Sequence, residues 1–113
     1  MIDTCSFGVM VIDGTTYTSD LIIYPDGQVV DHWRRKSGHR LSPDDIRSLI
    51  QSKPEIIVAG TGSSGMMKPE SGLESLLQKN DISFIAQPNE KAVKIFNDLL
   101  DSKKVSACFH LTC

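Results

Sequence analysis

Short apolar runs separated by turn residues predict β-hairpins from Phe7 to Trp33. The segments FGVMVID and TTYTSDLIIY flank Asp13-Gly14, a pair suited to a two-residue hairpin turn because glycine accepts positive φ. Pro25-Asp26-Gly27 predicts a second turn, which makes LIIY and QVVDHW antiparallel. The amino-terminal third is therefore predicted to be a β-meander.

Beyond residue 41, segments with helical periodicity alternate with segments typical of strands. EIIVAG and ISFIA are short, continuous apolar runs of the kind buried on both faces of a sheet, and VSACFHL alternates as a last strand. Three helices are predicted: one capped by Ser42, one opened by Pro69 and closed at Asn80, and one capped by Asn89. This order predicts a βαβ unit with parallel strands.

Together these elements predict an α/β fold of one domain, residues 1–113. It has three layers, in which the amino-terminal β-meander packs beside a central mixed sheet and about three helices. A chain of 113 residues can bury a real core but is too short for a complete two-half dinucleotide fold. Its hydrophobic content of 40% and its interspersed charges are those of a folded globular protein.

Charge and hydropathy narrow the expected partners and location. The net charge of −2 gives no long-range attraction for nucleic acid or an anionic membrane, so neither is expected as a partner. No apolar run approaches the roughly 20 residues that span a bilayer. The amino terminus MIDTCSFGV lacks the order of a signal peptide, so a cytoplasmic protein is expected.

The cysteines and histidines do not form a recognisable metal-binding pattern. Cys5, Cys108 and Cys113 lack the spacing of a disulfide framework and are expected to be reduced. Cys108 and His110 share a face of the last strand, where a thiol–imidazole pair is conceivable. A zinc site needs four ligands, and the remaining candidates show no paired spacing, so no metal is expected.

The stretch EIIVAGTGSSGMMKP contains a Gly-x-Gly-x-x-Gly pattern formed by Gly60, Gly62 and Gly65. In a dinucleotide site the helix begins inside the glycine pattern, and an acidic residue follows about 20 positions on. Here the predicted helix start, Pro69, comes too late, and the next strand ends in IAQPNE, so no cofactor is expected. Two interpretations remain: a structural connection, or a nest of N–H groups for a carboxylate or phosphate.

The segment DHWRRKSGHR, residues 31–40, concentrates four cations, two histidines and the single tryptophan. Arginine offers a planar bidentate donor and tryptophan a large contact area, which suits recognition of an anion or a partner protein. The simpler interpretation is that Trp33 packs on the core while the charges are solvated.

Two functional classes remain open. The favoured one is a non-catalytic binding or adaptor domain for a protein partner, with candidate contact residues Trp33, Arg34, Arg40, Met66 and Met67. The alternative is a small anionic-ligand-binding protein or weak enzyme, with His39 or His110 as proton carrier. Its candidate ligand-binding residues are Gly60, Thr61, Gly62, Ser63, Ser64, Gly65, Arg34, Arg35 and His39. In either class a monomer or weak homo-oligomer is expected.

The order of motifs resembles a known family. A Trp-Arg segment follows the meander, a His precedes a capped helix, an apolar strand runs into Gly-x-Gly, and AVKIFNDLL and FHLTC come last. This order is similar to the uncharacterised conserved family of the adipogenesis-associated domain-containing protein and, more distantly, of the mitochondrial NADH dehydrogenase complex I assembly factor 3. The resemblance implies a three-layer fold and no established enzymatic activity.

Overall fold

A computed structural model describes all residues, 1–113, and contains three sheets and three α-helices. The strands are β1 Ile2–Ser6, β2 Val9–Ile12, β3 Thr15–Tyr17, β4 Leu21–Ile23, β5 Val29–Asp31, β6 Arg40–Leu41, β7 Ile56–Gly60, β8 Lys68–Pro69, β9 Ser83–Gln87 and β10 Val105–Phe109. The helices are a 3-10 helix Pro43–Ile46, α1 Arg47–Gln51, α2 Leu73–Lys79 and α3 Asn89–Leu99.

The central sheet is mixed and has the strand order β5-β4-β10-β7-β9. β10 pairs antiparallel with β4 and parallel with β7, and β7 pairs parallel with β9. All five residues of β10 are buried, as expected for a strand in the middle of a covered sheet. The register places Gly60, Gln87 and Phe109 side by side at one edge, where three strands end.

Each face of the central sheet has its own apolar core, which confirms the predicted three-layer α/β fold. On one face lie the β1-β2-β3 sheet and α3, with Ile2, Met10, Ile12, Leu21, Ile23, Val58, Ala92, Phe96, Val105, Ala107, Phe109 and Leu111. On the other face lie α1 and α2, with Ile22, Leu41, Ile46, Leu49, Ile57, Ala59, Met67, Leu73, Leu77, Ile82 and Cys108. The alternation predicted for the last strand is confirmed, since its odd-numbered residues face the first core.

The amino-terminal third is not one continuous meander. β1, β2 and β3 form the meander, whereas β4 and β5 form the predicted hairpin at the edge of the central sheet. The reason is burial: Leu21 to Ile23 are apolar without alternation, so both faces of β4 need cover. The sequence does not predict β1, because the exposed polar side chains of Asp3 and Thr4 interrupt any apolar run in this segment.

The prediction that Pro69 opens a helix is wrong. Pro69 lies in β8, which pairs in parallel with β6, and the Glu70 N–H donates to the Leu41 carbonyl oxygen at 2.9 Å. α2 begins only at Leu73, after Gly72 has turned the chain with φ of 90°. The predicted end of this helix at Asn80 is confirmed.

Gly60 lets β7 and β10 pack closely at the edge where they end. A Cβ atom at this position would lie 2.2 Å from Cδ1 of Phe109 and 2.6 Å from Oδ1 of Asn89, both buried. The glycine pattern therefore has a packing role at its first position.

We expect Gly60→Ala to lower the free energy of unfolding by about 1–3 kcal/mol, because the added methyl group overpacks the core against the Phe109 ring. Urea unfolding measures the change. Gly38→Ala is the matched control, since a Cβ there would meet nothing within 4 Å. Equal losses in the two variants would contradict the packing role of Gly60.

Candidate functional site

A buried cluster of charged side chains joins three distant segments beside the edge where β7, β9 and β10 end. Asp20 Oδ2 lies 2.9 Å from Arg35 Nη1 and 2.8 Å from His110 Nδ1. Asp20 Oδ1 accepts a hydrogen bond from the Leu111 N–H at 2.7 Å. The side chains of Arg35 and His110 are only 5% and 8% exposed. Buried charges of this kind are tolerated because each one is paired.

The protonation of this cluster follows from the surroundings of Asp20. Burial raises the pKa of Asp20, but hydrogen bonds from His110, the Leu111 N–H and Arg35 outweigh it and hold the pKa below its ordinary value of 3.8. Ionised Asp20 can only accept hydrogen bonds, so we assign the Nδ1 proton of His110 to its contact with Asp20. Arg35 Nη2, which can only donate, lies 3.0 Å from the same Nδ1 and is then a close cationic neighbour rather than a hydrogen-bond partner. Nε2 of His110 is buried and has no hydrogen-bond partner.

The segment around Arg35 is folded about its guanidinium group. Arg35 Nε and Nη2 donate to the Gly38 carbonyl oxygen at 3.2 and 2.8 Å, and its Cζ lies 4.7 Å from the centre of the Trp33 ring. Trp33 is half-buried against the core that contains α1, and its Nε1 donates to the Asp45 carbonyl oxygen at 2.8 Å. Trp33 therefore packs on the core, as the simpler interpretation predicted. The same interpretation placed the charges of this segment in solvent, which is wrong for Arg35, because its guanidinium group is buried by its contacts with Asp20, Gly38 and Trp33.

Three N–H groups in and just after the glycine loop, residues 60–65, are directed at Thr112 and Cys113. The Ser63 N–H donates to the Thr112 carbonyl oxygen at 2.7 Å. The N–H groups of Ser64 and Met66 both donate to the Cys113 backbone oxygen, at 3.2 and 3.0 Å. The loop therefore binds oxygen atoms, and in this structure those atoms belong to the chain itself.

Gly62 lies between that terminal segment and the histidine. A Cβ atom at Gly62 would lie 2.2 Å from the backbone carbon of Cys113 and 3.1 Å from Cδ2 of His110. Cδ2 is bonded to Nε2, so the ring edge without a hydrogen-bond partner is the edge close to Gly62. Its φ of 108° also favours glycine.

Asn89 was predicted to cap α3, and this prediction is wrong. Pro88 occupies the cap position, and the buried side chain of Asn89 instead bridges the glycine loop and β10. Its Oδ1 accepts from the Gly62 N–H at 3.1 Å, and its Nδ2 donates to the His110 carbonyl oxygen at 2.8 Å. Buried amide groups need such partners, which explains why this side chain leaves the cap.

The two segments singled out in the sequence meet at the β6–β8 pair. The Lys68 N–H donates to the His39 carbonyl oxygen at 2.8 Å, and the His39 and His110 rings lie 5.8 Å apart. Arg40 is directly opposite Lys68 in this parallel pair. Both side chains are exposed, and neither makes a salt bridge in the structure. Two unpaired cations therefore stand side by side next to the glycine loop.

The other candidate residues differ in accessibility. Arg34 is exposed and Met66 is 48% exposed, whereas Met67 is fully buried in the core with α1 and α2. The Met67 side chain is thus out of reach of a partner in this structure. Burial raises the pKa of the Cys108 thiol to about 12, so this thiol is not a nucleophile near neutral pH.

Over residues 2–110, the sequence fits the family described as a protein of unknown function (DUF498/DUF598). The chain belongs to the DUF498/DUF598 family. The predicted membership of an uncharacterised conserved family is confirmed at this level. None of the helices in this family member is long and apolar enough to cross a membrane.

Solved structures resemble this DUF498/DUF598 protein along its whole length. The conserved hypothetical protein PH1505 from Pyrococcus horikoshii OT3 is 26% identical, with a TM-score of 0.85 and coverage of 100% of this chain and 99% of that one. MT938 is 28% identical, with a TM-score of 0.84 and coverage of 100% and 98%. An outer membrane protein from Bartonella henselae is 22% identical, with a TM-score of 0.81 and coverage of 99% and 94%, and shows the shared fold.

Sequence reasoning missed Asp20 as the centre of the buried cluster. Asp20 reads as a polar residue in a connection, and its partner His110 is 90 positions away. One signal was present: a carboxylate directly before LIIY, a strand buried on both faces, must be partly buried and so needs donors.

We expect Asp20→Asn to lower the free energy of unfolding by about 3 kcal/mol at neutral pH, because it leaves Arg35 buried without its counter-charge. The folded-state pKa of Asp20 is the lower one, so the unfolded chain binds more protons and stability falls with falling pH. The stability that ionised Asp20 contributes is fully present above its unfolded-state pKa of about 4 and is lost as the pH falls through its lower folded-state pKa.

Urea unfolding between pH 7 and about pH 3 tests this linkage. The Asp20→Asn variant should show the weaker dependence of stability on pH below about pH 4. Asp101→Asn, at an exposed position without a salt bridge, is the control and should keep the wild-type profile. A wild-type profile in Asp20→Asn would contradict the assignment.

Proposed function

We propose that this protein is a non-catalytic binding domain that recognises an acidic segment of a partner protein. The observation that carries the proposal is the cationic pair, Arg40 and Lys68. Side chains directly opposite each other in paired strands point to the same face, and like charges in that position repel. Neither cation makes a salt bridge within the chain, which favours a carboxylate-bearing partner.

The surroundings of the cationic pair suit a protein contact. Met66 offers an exposed, adaptable apolar side chain two residues from Lys68, and His39 precedes Arg40. Arg40 adds a planar bidentate donor for carboxylates. The net charge of −2 means that attraction for an acidic partner is local and short in range. Binding should therefore weaken as salt is added.

The relationship to two better-known proteins is also part of the proposal. Likeness to the adipogenesis-associated domain-containing protein and to complex I assembly factor 3 supports an adaptor role and names no chemistry. PH1505 carries the description conserved hypothetical protein, which adds no activity. We further propose a cytoplasmic protein that is a monomer or weak homo-oligomer, with the cationic pair free to meet its partner.

Titration of the nitrogen-15-labelled protein with a short glutamate-rich peptide at low salt tests the proposal. We expect amide shifts confined to residues 37–41 and 63–69. Arg40→Glu should weaken binding by about fivefold, corresponding to about 1 kcal/mol for a solvent-exposed pair. The same change should leave the melting temperature unchanged or raise it, because it replaces a repulsive neighbour of Lys68 with an attractive one.

Lys91→Glu is the matched control, because it reverses one charge at an exposed position of α3. It should leave the peptide affinity close to that of the wild type. Shifts spread evenly over the surface, or an equal loss of affinity in Arg40→Glu and Lys91→Glu, would contradict a specific site at the cationic pair.

A further inference from the structure

We propose that the glycine loop and His110 form a binding site for a small oxyanion, a carboxylate or a phosphate, which the backbone of Thr112 and Cys113 fills in the free protein. A bound ligand would displace Thr112 and Cys113 from the N–H groups of the loop. The inference does not depend on the cationic pair, because it rests on buried groups beneath the loop.

The first argument is the unpaired nitrogen of His110. Its Nε2 is buried without a hydrogen-bond partner, although its Nδ1 is held by Asp20 at 2.8 Å. Buried polar atoms nearly always have partners, and this nitrogen is available to a ligand: it accepts a hydrogen bond in the neutral ring and donates one when the ring is protonated. The close approach of Gly62 to Cδ2 places this ring edge beneath the glycine loop.

The second argument is the chemistry of the loop. The N–H groups of Ser63, Ser64 and Met66 bind two backbone oxygens, so their direction suits oxygen acceptors. A backbone carbonyl cannot donate to neutral Nε2. An oxyanion could accept from the same N–H groups and from Nε2–H of a protonated ring, forming charge-assisted hydrogen bonds.

The charges around His110 permit such a ligand. Asp20 and Arg35 carry opposite charges and contact the same edge of the ring, at 2.8 and 3.0 Å from Nδ1. They offset each other, so an incoming anion is not repelled by an unpaired carboxylate. His39, with its ring 5.8 Å from that of His110, is the other titratable group that faces the site.

The third argument is that the segment filling the site lies at the surface. His110 and Leu111 are buried, whereas Thr112 is half-buried and Cys113 is exposed. Three backbone hydrogen bonds hold these two residues to the loop. Rotation about the Leu111–Thr112 connection would free the N–H groups without disturbing β10, which ends at Phe109.

Titrations of the full chain with sodium acetate and with sodium phosphate, at ionic strength held constant with chloride, test the inference. We expect saturable shifts of the Ser63, Ser64 and Met66 amide signals and of the His110 Nε2 signal. A chain ending at Leu111 should bind the same anion about tenfold more tightly, because no segment has to be displaced. Preference for acetate would assign a planar ligand, and preference for phosphate a tetrahedral one.

His110→Asn separates the two nitrogens of the ring. The asparagine amide reaches roughly where Nδ1 donates to Asp20 but has nothing at the position of Nε2. We expect anion affinity to fall at least about tenfold while the Leu111 amide signal keeps its position. Lys91→Gln is the surface control and should bind like the wild type.

Two results would overturn the inference. One is that neither acetate nor phosphate shifts the loop amides in the full chain or in the chain ending at Leu111, even if a glutamate-rich peptide does so. The other is wild-type affinity in a folded His110→Asn variant. If His110→Asn does not fold, the comparison of the full and shortened chains decides the matter.

Discussion

The rest of the site depends on the hydrogen bonds that the carboxylate of Asp20 accepts. This carboxylate accepts hydrogen bonds from the guanidinium of Arg35, from His110 and from the Leu111 N–H, and thereby joins the start of β4, the segment before β6 and the end of β10. None of these segments is close to another in sequence. Because Arg35 and His110 are buried, the loss of Asp20 would leave them uncompensated, which is costlier than the loss of a surface pair.

The central sheet supplies the rigid edge against which this interaction acts. The register of β10 with β7 and of β7 with β9 brings the glycine loop beside the residues that follow Phe109. Asn89 then joins the loop to His110 by two hydrogen bonds. The β6–β8 pair completes the arrangement by placing Arg40 beside Lys68. Loop residues on a rigid scaffold are a common basis for binding. Here the exposed cations Arg40 and Lys68 lie at the surface beside the glycine loop, and the buried His110 lies beneath that loop.

Much of the fold follows from local pattern, but the site does not. The alternation around Cys108 and His110 and the turn at Gly27 are set by local residues, so the sequence predicts them correctly. Asn89 and Pro69 satisfy local rules for helix starts, yet tertiary contacts decide both: a buried bridge for Asn89 and a strand pair for Pro69. The partnership of Asp20 with His110 spans the whole chain, and no periodicity encodes it.

Hydrogen–deuterium exchange of the Asp20→Asn variant tests the central claim most directly, namely that one buried carboxylate holds the two candidate surfaces together. The account predicts faster exchange at Leu111, whose N–H donates to Asp20, and also at Ser63 and Lys68, whose N–H groups reach it only through the segments that it joins. The amide of Val58, in the middle of β7, should still exchange only through global unfolding, so its opening free energy should equal the global free energy of unfolding of the variant. Faster exchange at Leu111 alone, with Ser63 and Lys68 unchanged, would contradict the account.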